Sequence, residues 1–298
     1  MENLKSKLIG WIGTGVMGKS MCKHLLKSGY QLSVYNRTIS KTDELVNLGA
    51  KFMEPKEIAQ TCDVVFLMLG YPKDVEDMTF NSDYGVLNHM KPGSLLIDHT
   101  TSSPDLAEKI YLAAKEKNIS SWDAPVSGGD IGAREGRLVV MVGGPQEGFE
   151  EAKYIMQTYS SKISHMGDAG KGQHTKMTNQ IFLASNMVGV CEGLLYAYKS
   201  GLNQQAVIEL LGGGAASSFS LNVLGPRILK RDFEPGFFVE HFVKDMDIAL
   251  NECEKMGIKL KGLELARSLY QIMIDDDLAR KGTQGLYLAL EKLNNITN

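Results

Sequence analysis

In the stretch GWIGTGVMG, the residues Gly13-Thr14-Gly15-Val16-Met17-Gly18 set three glycines at the spacing of a dinucleotide-binding turn. In such a turn the first glycine permits the sharp bend and the second lets a pyrophosphate approach the backbone. The third lets the following helix pack closely on its strand. The helix N-terminus then offers N–H groups and a partial positive charge to the phosphates. With 31 glycines in the chain the spacing alone is a weak signal, so context has to carry it. An apolar run, Lys7 to Ile12, precedes the turn, and a second strand pattern, Gln31 to Tyr35, follows at the distance of a βαβ unit. That second strand ends Tyr35-Asn36-Arg37-Thr38, without the carboxylate that usually holds a ribose 2′-hydroxyl. Asn36 offers a neutral hydrogen bond, Arg37 a planar guanidinium suited to a phosphate, and Thr38 a further donor. The pattern favours NADP(H), with NAD(H) as the alternative.

These residues need strands and helices to hold them. Met17, Met21 and Leu25 recur at helical spacing after the turn, and Gly29 closes that helix. Asp63 to Leu69 and Ser94 to Asp98 are continuous apolar runs, as expected of strands buried on both faces. Ser121 to Ala124 and Arg137 to Val142 read as further strands. Strands interleaved with helices imply right-handed βαβ units and a mostly parallel sheet. Near residue 165 the rhythm changes. A sustained helical pattern runs from about Gln173 to Ser200, and shorter ones cover Gln204–Leu211, Val243–Met256 and Leu263–Asp276. The expected fold is therefore α/β: an N-terminal Rossmann-type doubly wound domain over 1–165, then an all-α domain over 166–298 built around a long interdomain helix.

Composition bounds the partners. The 298 residues are 43% hydrophobic and 22% charged, which supports a packed core. A net charge of −3 gives no basic footprint for nucleic acid. Cys22, Cys62, Cys191 and Cys253 lack disulfide or metal spacing, and Asp275-Asp276-Asp277 lacks the pattern of a calcium loop, so no metal site is expected. No apolar run of about 20 residues stands out as a membrane span, and the start lacks a signal-peptide core. The expected setting is the cytoplasm.

Four motifs stand in one order: GxGxMG; Asp98-His99-Thr100-Thr101-Ser102-Ser103-Pro104; Asp123-Ala124-Pro125-Val126-Ser127-Gly128-Gly129; and Gly170-x-Gly172-Gln173-x-x-Lys176-x-x-Asn179. That order resembles the β-hydroxyacid dehydrogenase family over essentially the whole chain. The resemblance implies a catalytic lysine at Lys176 with Asn179 beside it, and a carboxylate-holding loop at Ser127-Gly128-Gly129. It implies that Thr101 lies at the nicotinamide and substrate, that Leu69 and Gly70 pass over the nucleotide, and that Lys244 approaches the cofactor. It also implies a homo-oligomer, dimer or tetramer. The Asn36-Arg37-Thr38 run looks like that of the glyoxylate/succinic semialdehyde reductases in the family.

The residue types make chemical sense. Lys176 and Asn179 are three apart, so a helix sets them on one face. Hydride transfer to an aldehyde builds charge on oxygen, and a desolvated lysine is suited to supply the proton near neutrality. His174 is a rival acid, but it lies roughly 200° round the helix from Lys176. Two glycines after Ser127 expose backbone N–H groups that can meet a carboxylate, while Ser103 before Pro104 also reads as a helix N-cap. The expected activity is NADPH-dependent reduction of a small carboxylate-bearing aldehyde (glyoxylate, or succinic, tartronate or methylmalonate semialdehyde) to the hydroxyacid. The alternatives are an NAD-dependent 3-hydroxyisobutyrate dehydrogenase, which makes Arg37 a bystander, and a non-catalytic NADP-binding module. The resemblance to imine reductases implies that the lysine position is usually replaced there, so Lys176 argues against that group, and the chain length argues against a 6-phosphogluconate dehydrogenase.

Overall fold

The structure is a computed structural model and describes residues 5–296. It divides into two compact units that part between Lys176 and Met177. The first unit alternates strands and helices: β1 (Leu8–Ile12), α1 (Val16–Lys27), β2 (Gln31–Tyr35), α2 (Asp43–Asn47), β3 (Lys51–Phe52), α3 (Pro55–Thr61), β4 (Val64–Leu67) and α4 (Pro72–Phe80). Then come β5 (Leu95–Asp98), α5 (Pro104–Glu116), β6 (Ser120–Asp123), β7 (Val126–Ser127), α6 (Gly129–Arg134), β8 (Leu138–Gly143), α7 (Phe149–Met156) and β9 (Ser160–Gly167).

The sheet order is β3-β2-β1-β4-β5-β6-β8-β7, with β9 on the free side of β8. From β3 to β6 every pairing is parallel, whereas β8 runs antiparallel to β6 and β7 and parallel to β9. This is the doubly wound α/β arrangement. The chain reverses direction of travel across the sheet between β1 and β4, and ligands of such sheets bind at the carboxyl ends of the strands at that point. Strand alternation builds two cores. Ile9, Trp11, Val64, Phe66, Leu95 and Ile97 pack on one face. Ile12, Val65, Leu67 and Leu96 pack on the other.

β3 and β7, two residues each, are too short to show a pattern, and β9 is mostly half-exposed. Pairing with β8 from Ser160 to Gly167 holds β9, so backbone hydrogen bonds rather than hydrophobicity define it.

α8 (Lys171–Lys199) begins in the first unit and continues into the second, which adds α9 (Gln204–Leu211), α10 (Gly225–Leu229), α11 (Val239–Lys255), α12 (Lys261–Asp275) and α13 (Leu286–Leu293). α8 is long and apolar enough to cross a membrane by length and composition only, a test that the core helix of a soluble protein also passes. Its Met187, Cys191 and Leu194 instead join Phe242, Met246, Tyr270 and Met273 in one helical core. α11 starts four residues before the expected Val243 because Val239 and Phe242 are themselves core residues.

Candidate active site

The glycine turn lies at the switch between β1 and β4. Gly13 has φ +104°, and a Cβ there would sit 2.2 Å from Met68 O, so only glycine fits. A Cβ on Gly18 would sit 2.0 Å from Gly13 O, which is the close helix–strand approach expected of the third glycine. At Gly15 a Cβ would meet nothing within 4 Å. Gly15 is also the N-cap of α1, with no side-chain capping bond and no acidic residue in the first turn. The helix N-terminus therefore carries its positive end toward open space, and it fits a dinucleotide pyrophosphate.

The turn is braced from below. The Trp11 indole Nε1–H donates to Gly13 O at 3.0 Å, and its ring stacks on Phe66 with centroids 5.0 Å apart. Phe66 in turn stacks on His99 at 5.4 Å. His99 lies 2.6 Å through Nδ1 from Ala124 O and 2.8 Å through Nε2 from the Tyr159 hydroxyl. A carbonyl only accepts, so Nδ1 carries the proton and Tyr159 donates to Nε2. Burial pushes the His99 pKa down to about 4, which keeps the ring neutral. From the other side Asn36 Oδ1 accepts the Thr14 N–H at 3.1 Å, and its Nδ2 donates to Thr38 O. The Thr14 hydroxyl is spent on Lys41 O. Asn36 and Thr14 thus shape the loop, while the Arg37 side chain is 91% exposed, with Asp74 4.0 Å away.

A second group of expected residues meets at the ends of β4, β5 and β6. The Leu69 N–H donates to Thr100 Oγ1 at 2.8 Å, tying the Leu69–Gly70 loop to the segment that carries Thr101. Ser103 caps α5 by accepting the Leu106 N–H, ahead of Pro104, as the motif implied. Lys176, buried on α8, donates from Nζ to Val126 O at 2.9 Å. Val126 immediately precedes Ser127-Gly128-Gly129, so the lysine and that loop adjoin. Gly128 has φ +128° and Gly129 φ +61°, a backbone path that disfavours side chains. His174, half-buried, stands two residues before Lys176 on the same helix.

In the second unit Asn179 Nδ2 donates to Gln180 Oε1 at 2.6 Å, and Gln180 Nε2 donates to Asp245 Oδ2 at 2.6 Å. Lys244 Nζ lies 2.9 Å from Asp245 Oδ1. The two expected residues Asn179 and Lys244 are therefore ends of one chain of contacts. Arg227 and Arg231 are engaged by Asp232 and Glu291. Among the described residues no group of three or more His, Cys, Asp or Glu is placed to hold a metal.

Sequence reading passed over the residues that brace the site. Trp11, His99 and Tyr159 lie far apart in the chain, and nothing in their spacing announces a stack. Asp123 and Gln173 stood inside quoted motifs without a role. Their carboxylate and amide meet backbone groups up to 73 positions away, which no local pattern reveals.

The chain is similar to known proteins along nearly all its length. Residues 8–167 match the family model for the NAD binding domain of 6-phosphogluconate dehydrogenase. Residues 170–290 match the model for the NAD-binding domain of NADP-dependent 3-hydroxyisobutyrate dehydrogenase. The chain is 49% identical over 290 residues to a probable 3-hydroxyisobutyrate dehydrogenase-like 1, mitochondrial, of Arabidopsis thaliana, covering 97% of this chain and 86% of the relative. It is 35% identical over 289 residues to 2-hydroxy-3-oxopropionate reductase of Escherichia coli, covering 96% and 98%. Among solved structures, Mycobacterium tuberculosis 3-hydroxyisobutyrate dehydrogenase with L-serine superposes with TM-score 0.87 at 26% identity, over 95% of this chain and 99% of that one. The chain belongs to the β-hydroxyacid dehydrogenase family and is an NAD(P)-dependent oxidoreductase acting on hydroxyl groups.

Proposed function

We propose that the protein reduces a small aldehyde bearing a carboxylate to the corresponding hydroxyacid, with NADPH as cofactor and Lys176 as proton donor. The observation that carries this reading is the buried Lys176 ammonium on Val126 O, directly before Ser127-Gly128-Gly129. A substrate carboxylate on the Ser127–Gly129 loop brings its aldehyde within reach of Nζ. An ammonium has three donors, so holding one carbonyl is compatible with donating to another oxygen.

When bound, NADPH supplies the hydride that adds to the aldehyde carbon. Lys176 gives the proton to the oxygen as the C=O π bond becomes a C–O single bond, so aldehyde, hydride and proton together make the alcohol. In the reverse direction the neutral amine takes that proton back. Asn179 stands one helical turn after Lys176 and orients substrate or lysine. Thr101 would hold the nicotinamide, and Leu69 and Gly70 the nucleotide beside it. The α1 N-terminus, with Gly13, Thr14, Gly15, Val16, Met17 and Gly18, would hold the phosphates. Arg37 takes the 2′-phosphate with Asn36 and Thr38 beside it, and Lys244 completes the cofactor contacts. In this reading residues 1–165 form the NADP-binding domain and residues 166–298 an all-helical substrate and oligomerisation domain.

The test follows nicotinamide absorbance with NADPH or NADH against glyoxylate and succinic, tartronate and methylmalonate semialdehydes, for wild type and Lys176→Ala. Wild type should turn over with NADPH, and Lys176→Ala should lose about 10²–10⁴-fold in kcat while still binding NADPH. A variant that keeps kcat within tenfold removes the lysine from the role of acid. Equal efficiency with NADH moves the reading to an NAD-dependent dehydrogenase.

A further inference from the structure

Lys176 and Thr101 come from distant segments, yet the reaction needs them in one geometry. A fully buried amide side chain joins them. Gln173 on α8 is 0% exposed, and its Oε1 accepts the Ser102 N–H at 3.0 Å. Its Nε2 donates to Thr100 O at 2.8 Å. These are the backbone groups on either side of Thr101, paired with one carboxamide much as two strands pair. Ser102 Oγ is buried with no hydrogen-bond partner, so the peptide, not that hydroxyl, anchors the segment.

Gln173 is itself immobilised. Its N–H donates to Asp123 Oδ2 at 2.7 Å, and the Gly170 N–H donates to Asp123 Oδ1 at 2.8 Å. The first turn of α8 is thereby docked on the end of β6. A Cβ on Gly172 would lie 2.4 Å from Asp123 O and 2.6 Å from Met141 O, which shows how closely this turn approaches the sheet. Asp123 opens the segment that runs through Val126 to Ser127, so the carboxylate-binding loop is tied to the same point.

We propose that Gln173 is a positioning residue whose carboxamide grips the backbone on both sides of Thr101 and so holds Thr101 in register with Lys176, three residues on in the same helix. The inference rests on the roles proposed above for Thr101 and Lys176. Only a primary amide satisfies both backbone groups at neutral pH: methionine offers neither bond, and ionised glutamate accepts from Ser102 but repels Thr100 O.

Gln173→Met and Gln173→Glu are compared with wild type by two readouts. The first is amide hydrogen exchange without substrate, and the second is steady-state kinetics from pH 5 to 8. In Gln173→Met, exchange at Ser102 should rise at least about tenfold, since its acceptor is gone. Its kcat should fall about 100-fold, with aldehyde KM changed less than about threefold, because misplacement acts on the reacting geometry. In Gln173→Glu, Ser102 stays protected. Its kcat relative to wild type should recover as pH falls, since the protonated acid has a donor and an acceptor where the amide has them. Asp123, against the Gln173 N–H, Asp98, whose Oδ1 accepts the Thr100 N–H, and Lys176, one turn on, face the same place in both proteins, so the ratio reads the new carboxyl together with its coupling to Asp123. If the methionine variant does not fold, the glutamate variant's pH-dependent recovery decides, and a flat ratio overturns the inference. Unchanged exchange at Ser102, or a folded Gln173→Met with kcat within twofold of wild type, overturns it as well. Absence of turnover by wild type with every aldehyde is a different result, for it removes the reductase reading and the catalytic half of the inference together.

Discussion

In the proposed reading, Arg37 is the residue on which cofactor choice turns. Its guanidinium is 91% exposed at the end of β2, with only a loose approach to Asp74 at 4.0 Å. A charge so exposed adds little to stability, which leaves it available to a phosphate. A hydrogen bond to a charged group contributes roughly 1.5–3 kcal/mol. Arg37→Ala should therefore weaken NADPH binding about 10–100-fold, while the NADH dissociation constant stays within about twofold. Titration by nicotinamide fluorescence measures both. Equal weakening of the two cofactors would mean that Arg37 shapes the loop without reading the 2′-phosphate. Asn36 is the contrasting neighbour, because its amide is already committed to Thr14 and Thr38 and supports the turn from within.

The start of α8 is where elements, not single side chains, set the site. Gly170 and Gly172 allow its first turn to reach Asp123, Met141 and Gly143, and Asp123 receives that turn's N–H groups. Gly172→Ala would place a methyl 2.4 Å and 2.6 Å from two backbone oxygens, neither of which can swing aside as a side-chain end would. The variant should lose about 1–3 kcal/mol of stability, the usual cost of overpacking. Denaturant unfolding checks this, and a loss under about 0.5 kcal/mol, the range of an ordinary surface change, would show that the helix can lift away at little cost.

For the molecule as a whole, two buried groups oppose each other in their response to pH. His99 falls from 6.5 to about 4 through burial. Between those values the unfolded chain binds a proton that the fold refuses, so this term raises stability as pH rises, by about 1.4 kcal/mol per pH unit. Asp123 rises from 3.8 to about 6, burial outweighing its backbone donors. The fold then holds the extra proton, so this term lowers stability as pH rises through the same window, at about the same slope. His241, also lowered by burial, adds to the His99 slope in wild type and variant alike, so from pH 4.5 to 6 the stability of Asp123→Asn should rise more steeply with pH than that of wild type, by about 1.4 kcal/mol per unit. Both tryptophans, Trp11 and Trp122, are buried in the first unit, so their fluorescence during denaturant unfolding reports it. Parallel slopes in wild type and variant would show that Asp123 stays ionised across this range.

The strands and helices of the sheet were legible because their signals are local. Continuous apolar runs placed β1, β4 and β5, and a short strand pattern β2, within a residue or two, and Gln204–Leu211 matches α9 at both ends. The glycine turn was legible for the same reason, since Gly13 and Gly18 answer to sterics within one turn and its neighbouring strand, while Gly15 leaves open space at the helix N-terminus. Short or edge elements such as β3, β7 and β9 were not, because pairing with a neighbour defines them. The tertiary structure alone decided what Asp123, Gln173, His99 and Tyr159 do. A buried carboxylate, amide, imidazole or phenol takes its role from the partner that satisfies it, and here those partners lie 25 to 73 residues away in the chain. Residue type announces the need for such a partner, and only the folded backbone supplies it.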